Sequence, residues 1–293
     1  MLIDLHIHTK YSDGTFTVED ILKEAERKNI TTISITDHNT IEAYNHIKKI
    51  NAKQIYTGDI ILGTEINCVF QDFRIELLGY NFNNFNFLEK WLKLNFSNEK
   101  ELFFRTREYE KLLQKMKDNN IVNNCPTQYD PKGYLPHTLI YNELKTNERN
   151  KIYFSKDEWD DFSVFFRTAT IDKNSLFYID YSDILPYAKE VSKAIKASGG
   201  KVFLAHVFSY NMDNHIDIID DLVSCEIIDG IEVFYSTFTK EQSKKLYDYC
   251  RKNNLFMSGG SDFHGSNGKR YINLGIGFGN LDIPDYILRE WCI

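Results

Sequence analysis

The opening nine residues, MLIDLHIHT, constrain the fold more than any other stretch of the chain. Side chains along a strand alternate between two faces. Ile3, Leu5 and Ile7 therefore share one face, and Asp4, His6 and His8 share the other. The apolar face can pack under helices. The polar face cannot be sealed into an apolar core without heavy cost, so it must look into a barrel or a cleft. The stretch HTKYSDG then turns the chain and brings up Asp13. A pair of hydrogen-bonded core histidines is one account of this pattern. Two histidines one residue apart at a strand end, followed by a carboxylate in a turn, favour a metal site instead.

The rhythm of the chain says what kind of barrel. VEDILKEAERKN reads as a helix, TTISITDHN as a strand and IEAYNHIKKIN as a helix. DIILGTEINCVF and FRIELLGYNF read as two further strands. The rhythm returns near the C-terminus. ILPYAKEVSKAIKASGG is a helix stopped by glycines, KVFLAHV and GIEVFYS are strands, KEQSKKLYDYCRKNN is a helix and LFMSGGSDFHG is a strand. Strands alternating with helices imply a mostly parallel sheet with crossover helices. Residues 1–85 and 181–293 are expected to form this barrel. Residues 86–180, rich in Asn, Phe, Tyr and Lys, lack the alternation and are expected to form a mainly helical cap inserted into it.

Metal-type side chains close several of the apolar runs. His38 follows TTISIT, Glu65 closes ILGTE, and His206 closes KVFLAH. Asp262 and His264 stand two apart in SGGSDFHG, which places them on one face of a continuing strand. Chemistry in barrels of parallel strands gathers at the strands' C-terminal ends. One such ending means little, but packing alone does not explain five.

Bulk properties narrow the function. A net charge of −7 argues against a broad footprint on duplex DNA. It leaves room for a small phosphorylated substrate held through bound cations. No apolar run approaches the roughly 18 residues needed to span a membrane. The first residues show no leader pattern. The scattered cysteines (Cys68, Cys125, Cys225, Cys250 and Cys292) show no CxxC spacing, which suits reduced thiols. The cytoplasm is the expected compartment.

The motifs DLHIHTKYSDG, TDHNT, GTEI, LAHV and GGSDFHG, in that order, resemble the signature of the PHP (polymerase and histidinol phosphatase) family. DGIEVFYSTFTKEQ and IKASGGKVFLAH are similar to its branch of nucleotide phosphatases and oligoribonucleases. The likeness covers roughly residues 1–85 and 180–270. It implies an α/β fold, a distorted (β/α)7 TIM-like barrel holding two or three divalent metal ions. By the resemblance, His6, His8 and Asp262 would hold the first ion. Glu65 would bridge to a second held by His206. Asp13, His38 and His264 would hold the third. Glu76, in RIELLGY, stands where the family often has a histidine and would still ligate as a carboxylate. A set of imidazoles and carboxylates without cysteine suits Mn²⁺, Fe²⁺ or Zn²⁺.

The reaction implied is hydrolysis of a phosphomonoester by a metal-bound hydroxide, with Asp262, His264 and His206 supporting. The substrate would be a small phosphorylated molecule, a nucleoside monophosphate or bisphosphate. A 5′-to-3′ exonuclease acting on short RNA is the alternative enzyme. A non-catalytic metal-binding regulatory module is the alternative of another class. The chain has no GxSxG and no phosphate-binding P-loop. His137, in YLPHTLI, reads equally as a substrate contact from the cap and as a loop histidine; Leu135 stands where relatives often have an arginine. Arg105, Arg107, Lys269 and Arg270 are candidate substrate contacts. Asp4 and Asp37 read as supports for the ligands, and Glu232 as either wall or function.

Overall fold

The computed structural model describes residues 1–210, 212, 214–265 and 272–291. Seven strands lie side by side in chain order: β1 (Leu2–Ile7), β2 (Ile30–Ile35), β3 (Asp59–Phe70), β4 (Phe73–Tyr80), β5 (Lys201–Leu204), β6 (Gly230–Tyr235) and β7 (Phe256–Gly260). Neighbours are parallel except around β4, which runs antiparallel to both β3 and β5. Six strands therefore point their C-terminal ends at one mouth. The chain beyond β7 closes the curl against β1. The His8 N–H donates to the Phe263 carbonyl and the Asp262 N–H to the His6 carbonyl, both at 2.9 Å. The fold is the distorted TIM-like barrel expected from the sequence, and the reversed β4 is the distortion.

Helices cover the outside. They are α1 (Val18–Arg27), α2 (Glu42–Ile47), α3 (Phe85–Asn95), α4 (Asn98–Asp118), α5 (Pro136–Leu144), α6 (Lys156–Asp160), α7 (Phe162–Ile171), α8 (Ala188–Ala197), α9 (His215–Ser224), α10 (Lys240–Asn253) and α11 (Tyr286–Glu290). The local reasons are legible in α1. Thr17 and Asp20 form a reciprocal capping box, and Val18, Ile21, Leu22 and Ala25 recur at helical spacing to give one buried face. By contrast α2 is shorter than the sequence rhythm suggests. Ile41 at its N-cap offers no side-chain acceptor, and of the first-turn N–H groups that of Glu42 turns to the Thr40 hydroxyl at 3.2 Å.

Burial separates two apolar clusters. The larger fills the space between sheet and helices, from Ile3 and Leu5 to Trp291. The smaller gathers Tyr109, Leu112 and Met116 of α4, Ile140 and Leu144 of α5, and Phe165 and Ala169 of α7, with Val69 from the tip of β3. Within the segment expected to be the cap, α3 sends Leu88 and Leu92 into the barrel's cluster. The second core begins with α4. No helix among the described residues is long and apolar enough to cross a membrane.

Candidate metal centre

β1 carries His6 into the barrel mouth, and His8 follows just past the strand's end. Both rings are fully buried. His6 Nδ1 lies 2.8 Å from Glu232 Oε1, and its Nε2 lies 3.1 Å from both Glu65 Oε2 and His8 Nε2. Gly260 of β7 makes this approach possible. A Cβ there would stand 2.3 Å from the His6 nitrogen and Cβ, so the position excludes any side chain. Asp4, on the same strand face, does not join the cluster. It accepts the Ser261 N–H and hydroxyl and the Gly275 N–H, tying β1 to the chain beyond β7.

Asp37 organises the turn after β1. Its carboxylate accepts the Thr9 N–H at 2.7 Å, the Thr9 hydroxyl at 2.7 Å and the Ser12 hydroxyl at 2.6 Å. The turn so held presents Asp13, which is 58% exposed, at the rim. Asp13 lies 3.3 Å from His264 Nε2, 3.7 Å from His8 Nδ1 and 3.8 Å from His38 Nε2.

On the opposite wall, Glu65 of β3 reaches His206 Nε2 at 2.9 Å and His38 Nδ1 at 3.2 Å. Glu76 of β4 reaches the same two histidines, at 3.3 Å and 3.9 Å. The antiparallel β3–β4 hairpin sets this pairing, because Asn67 stands opposite Glu76 and Glu65 opposite Leu78. Asp262 and His264 are not on a strand as the sequence rhythm suggests. β7 stops at Gly260, and Asp262 adopts a left-handed φ of +56° that breaks the extended run. His206, just past β5, also has positive φ, +23°. These kinked strand ends aim side chains inward at a cost in backbone strain.

Two side chains hold the ligands from behind. The Tyr235 hydroxyl donates to Asp262 Oδ2 at 2.6 Å, while Glu232 Oε2 accepts the His206 N–H at 2.8 Å. The sequence left Glu232 open and did not point to Tyr235. Strict alternation puts positions 232 and 235 on opposite faces. A register shift between Glu232 and Phe234 lets both reach the cluster.

The electrostatics show what the pocket wants. Burial would lower the pKa of His6, but Glu65, Glu232 and Asp262 outweigh it and push it well above the ordinary imidazole value. Burial likewise opposes charge on His8, yet Asp262, Glu65 and Asp13 push it up to about 10. Burial alone would raise Glu65, but His6, His38 and His206 hold it well below the usual carboxylate range. The cluster is an anionic cavity that needs positive charge at its centre.

A divalent cation fits that need on two observations. His6 Nε2 and His8 Nε2 face each other at 3.1 Å, a contact satisfied by a shared electrophile and otherwise needing a proton on one ring. His38 Nδ1 is buried and makes no hydrogen bond although Glu65 is 3.2 Å away. Ligand atoms lying within 4.8 Å of one another form four overlapping groups. These are His8–Asp13–His38–His264, His6–His8–Asp262, His6–Glu65–His206 and His38–Glu65–Glu76. Together they take in all nine residues that the sequence singled out as ligands.

The expected substrate contacts fare differently. Arg105 is bound to Glu101, and Arg107 pairs with Glu110 at 3.1 Å and Asp183 at 3.3 Å. His137 is buried, with Nδ1 3.0 Å from Glu108 and its ring against Phe165 and Phe166. It lies in the first turn of α5, not in a loop, and lines neither of the cavities beside the cluster. It follows Pro136 at the start of α5 and packs beside Phe165 of the second apolar core. Lys269 and Arg270 lie outside the described residues. Two cavities adjoin the cluster. One of about 430 Å³ is walled by Glu65, His206, Asp262, His264, Arg74 and Arg167. The other, of about 820 Å³, runs from Asp13, His38 and Glu76 out between α3, α4 and Tyr181.

A family model described as the PHP domain matches residues 4–167. The 5′-3′ exoribonuclease of Haemophilus influenzae is 27% identical over 290 residues, covering 98% of this chain and 97% of that protein. The phosphoribosyl 1,2-cyclic phosphate 1,2-diphosphodiesterase of Eggerthella lenta is 22% identical over 280 residues, covering 92% and 96%. Among solved structures, a candidate metal-dependent phosphoesterase from Bifidobacterium adolescentis superposes with a TM-score of 0.65. It is 23% identical, covers 98% of this chain and 94% of that one, and shares the fold.

Proposed function

The chain belongs to the PHP family and is a metal-dependent phosphoesterase; within that class we propose that it removes a phosphate monoester from a small nucleotide. The observation that carries this reading is the convergence of five imidazoles and four carboxylates on one mouth of the barrel, beside a cavity of about 820 Å³.

We assign His6, His8, Asp13, His38, Glu65, Glu76, His206, Asp262 and His264 to two or three divalent ions, Mn²⁺, Fe²⁺ or Zn²⁺ by donor type. Such ions, when bound, lower the pKa of water from 15.7 towards about 7 and neutralise phosphate oxygens. The chain's own residues set the stage. Glu232 fixes which His6 nitrogen faces the cluster. Tyr235 holds one Asp262 oxygen and leaves the other, Oδ1, 3.2 Å from His8 Nε2. Asp13 and His264 stand at the exposed rim, where a phosphate would enter. The nearby Ser12 hydroxyl donates to Asp37 and so helps to hold the turn that carries Asp13.

The helices from α4 to α7 serve as a cap that walls the larger cavity with Phe104, Phe166 and Leu135, surfaces suited to a base. A second reading, removal of nucleotides from the 5′ end of short RNA, is favoured by the full-length match to the Haemophilus exoribonuclease.

The test is an assay of metal-reconstituted protein on nucleoside monophosphates and bisphosphates and on a 5′-phosphorylated RNA 5-mer. Turnover of the nucleotides, lost by about a thousandfold in Asp262→Asn, supports the reading. Cleavage confined to RNA selects the second reading. Undiminished activity in Asp262→Asn overturns the metal-centre assignment.

A further inference from the structure

We propose that Arg74 and Arg167 form a clamp for a second anionic group of the substrate, a phosphate about one sugar's breadth from the reacting one. The inference deepens the function proposed above and rests on it.

Arg74 lies two residues before Glu76 on β4, so both side chains leave the same face of the strand. At the usual strand rise their Cα atoms stand about 7 Å apart. Arg74 lines both cavities next to the cluster. Its Nε and Nη2 donate to the same acceptor, Asn67 Oδ1, at 3.2 Å and 2.7 Å. The Tyr181 ring lies 5.4 Å from the guanidinium carbon.

What Arg74 lacks is an ion pair in contact with it; Glu76 and Glu108 favour its charge from a distance. Charges held away from water are ordinarily paired with an opposite charge. Among the described residues no carboxylate forms an ion pair with Arg74. The two nearby acids face other partners: Glu76 meets His206 and His38, and Glu108 meets His137 at 3.0 Å and accepts the Tyr181 hydroxyl at 3.2 Å. A guanidinium has five N–H donors in a fork that matches phosphate. Here two of them converge on one neutral amide oxygen, which orients the fork, while the nearest acids, Glu76 and Glu108, stay out of contact with it. That is the arrangement of a site kept for an incoming anion.

Arg167 comes from the other side, on α7 of the cap, beside Phe166. It is exposed, lines the smaller cavity with Asp262 and His264, and has no carboxylate partner among the described residues. Arg105 and Arg107, by contrast, are tied to acids. One arginine on the barrel and one on the cap, both with donors to spare, flank the path out of the metal centre. A phosphate between them would also fasten the cap to the barrel.

A merely structural arginine would hold Glu76 and Glu108 in place and affect every substrate alike. The clamp affects only substrates with a second phosphate. The experiment compares kcat/KM for adenosine 3′,5′-bisphosphate with that for adenosine 3′-monophosphate in metal-loaded wild type, Arg74→Lys and Arg167→Ala. Lysine keeps the charge of Arg74 but loses its fork, and Arg167 is exposed, so thermal melting should stay near wild type. The expected result is a fall of about tenfold or more in the bisphosphate-to-monophosphate ratio, carried mainly by KM. A ratio within about twofold of wild type in both variants, with wild type active on both nucleotides, overturns the clamp alone. Wild type inert towards both nucleotides overturns the phosphomonoesterase reading, and the clamp falls with it.

Discussion

His6 Nδ1 lies 2.8 Å from Glu232 Oε1, inside the barrel wall where neither side chain meets solvent. The contact joins the end of β1 to β6 and fixes the imidazole's orientation, leaving Nε2 towards Glu65 and His8. A histidine so tethered is a stronger and better-aimed ligand. Glu232→Gln keeps the shape and removes the charge. It should lower metal affinity by about 10- to 100-fold while leaving the fold intact. Metal titration followed by calorimetry, with circular dichroism as the fold control, measures this; unchanged affinity would refute the role given to Glu232.

Gly260 is a steric prediction. An alanine Cβ would stand 2.3 Å from the His6 backbone nitrogen, so either β7 or the strand carrying His6 must shift. Gly260→Ala should cost more stability than the about 1 kcal/mol typical of single substitutions, and reduce bound metal in the fraction that folds. Elemental analysis of the purified variant, set beside its urea midpoint, reads both effects.

Phe165 tests the second core. Its ring is fully buried in that cluster, against Tyr141, Phe154 and Phe177. Phe165→Ala should cost about 3–5 kcal/mol locally. Because α4 and α7 line the cavity but supply none of the clustered ligands, the variant should raise KM more than it lowers metal content. Loss of metal in proportion to activity would show that the second core and the metal centre are not separable in this way.

The cluster also predicts a pH response of the metal-free protein. His8 has its pKa pushed up to about 10 because Asp262, Glu65 and Asp13 outweigh its burial. A raised folded-state pKa means stability that is complete below the unfolded value of about 6.5 and is lost as pH climbs towards the folded value. Metal-free protein should therefore melt progressively lower between about pH 6.5 and 10. With Mn²⁺ bound, the cation supplies the positive charge and the decline should flatten. Parallel melting curves with chelator and with metal across that range would contradict this account of the cluster.

Much of the site is written locally. The period-two pattern of MLIDLHIHT puts His6 and His8 where the structure has them, and the apolar runs before His38, Glu65 and His206 deliver those residues to the same mouth. Asp262 belongs to the cluster, although the sequence places it on a strand and the structure places it in a left-handed kink. Tyr235 escaped the sequence because a register irregularity in β6 overrides the alternation. Arg74 escaped it because nothing local marks an arginine that lacks a counter-ion.

The sequence by itself determined the strand–helix alternation, the inward face of β1 and the residue types that favour divalent cations. These follow from periodicity and side-chain chemistry, which neighbouring residues encode. Only the tertiary structure decided that β4 runs backwards and brings Glu76 beside His206, that Glu232 braces His6, that His137 turns inward against Phe165, and that Arg74 faces the cavity without an ion pair among the described residues. Each of those depends on contacts between residues far apart in the chain, and such contacts form only when the barrel closes and two separate apolar cores settle against each other.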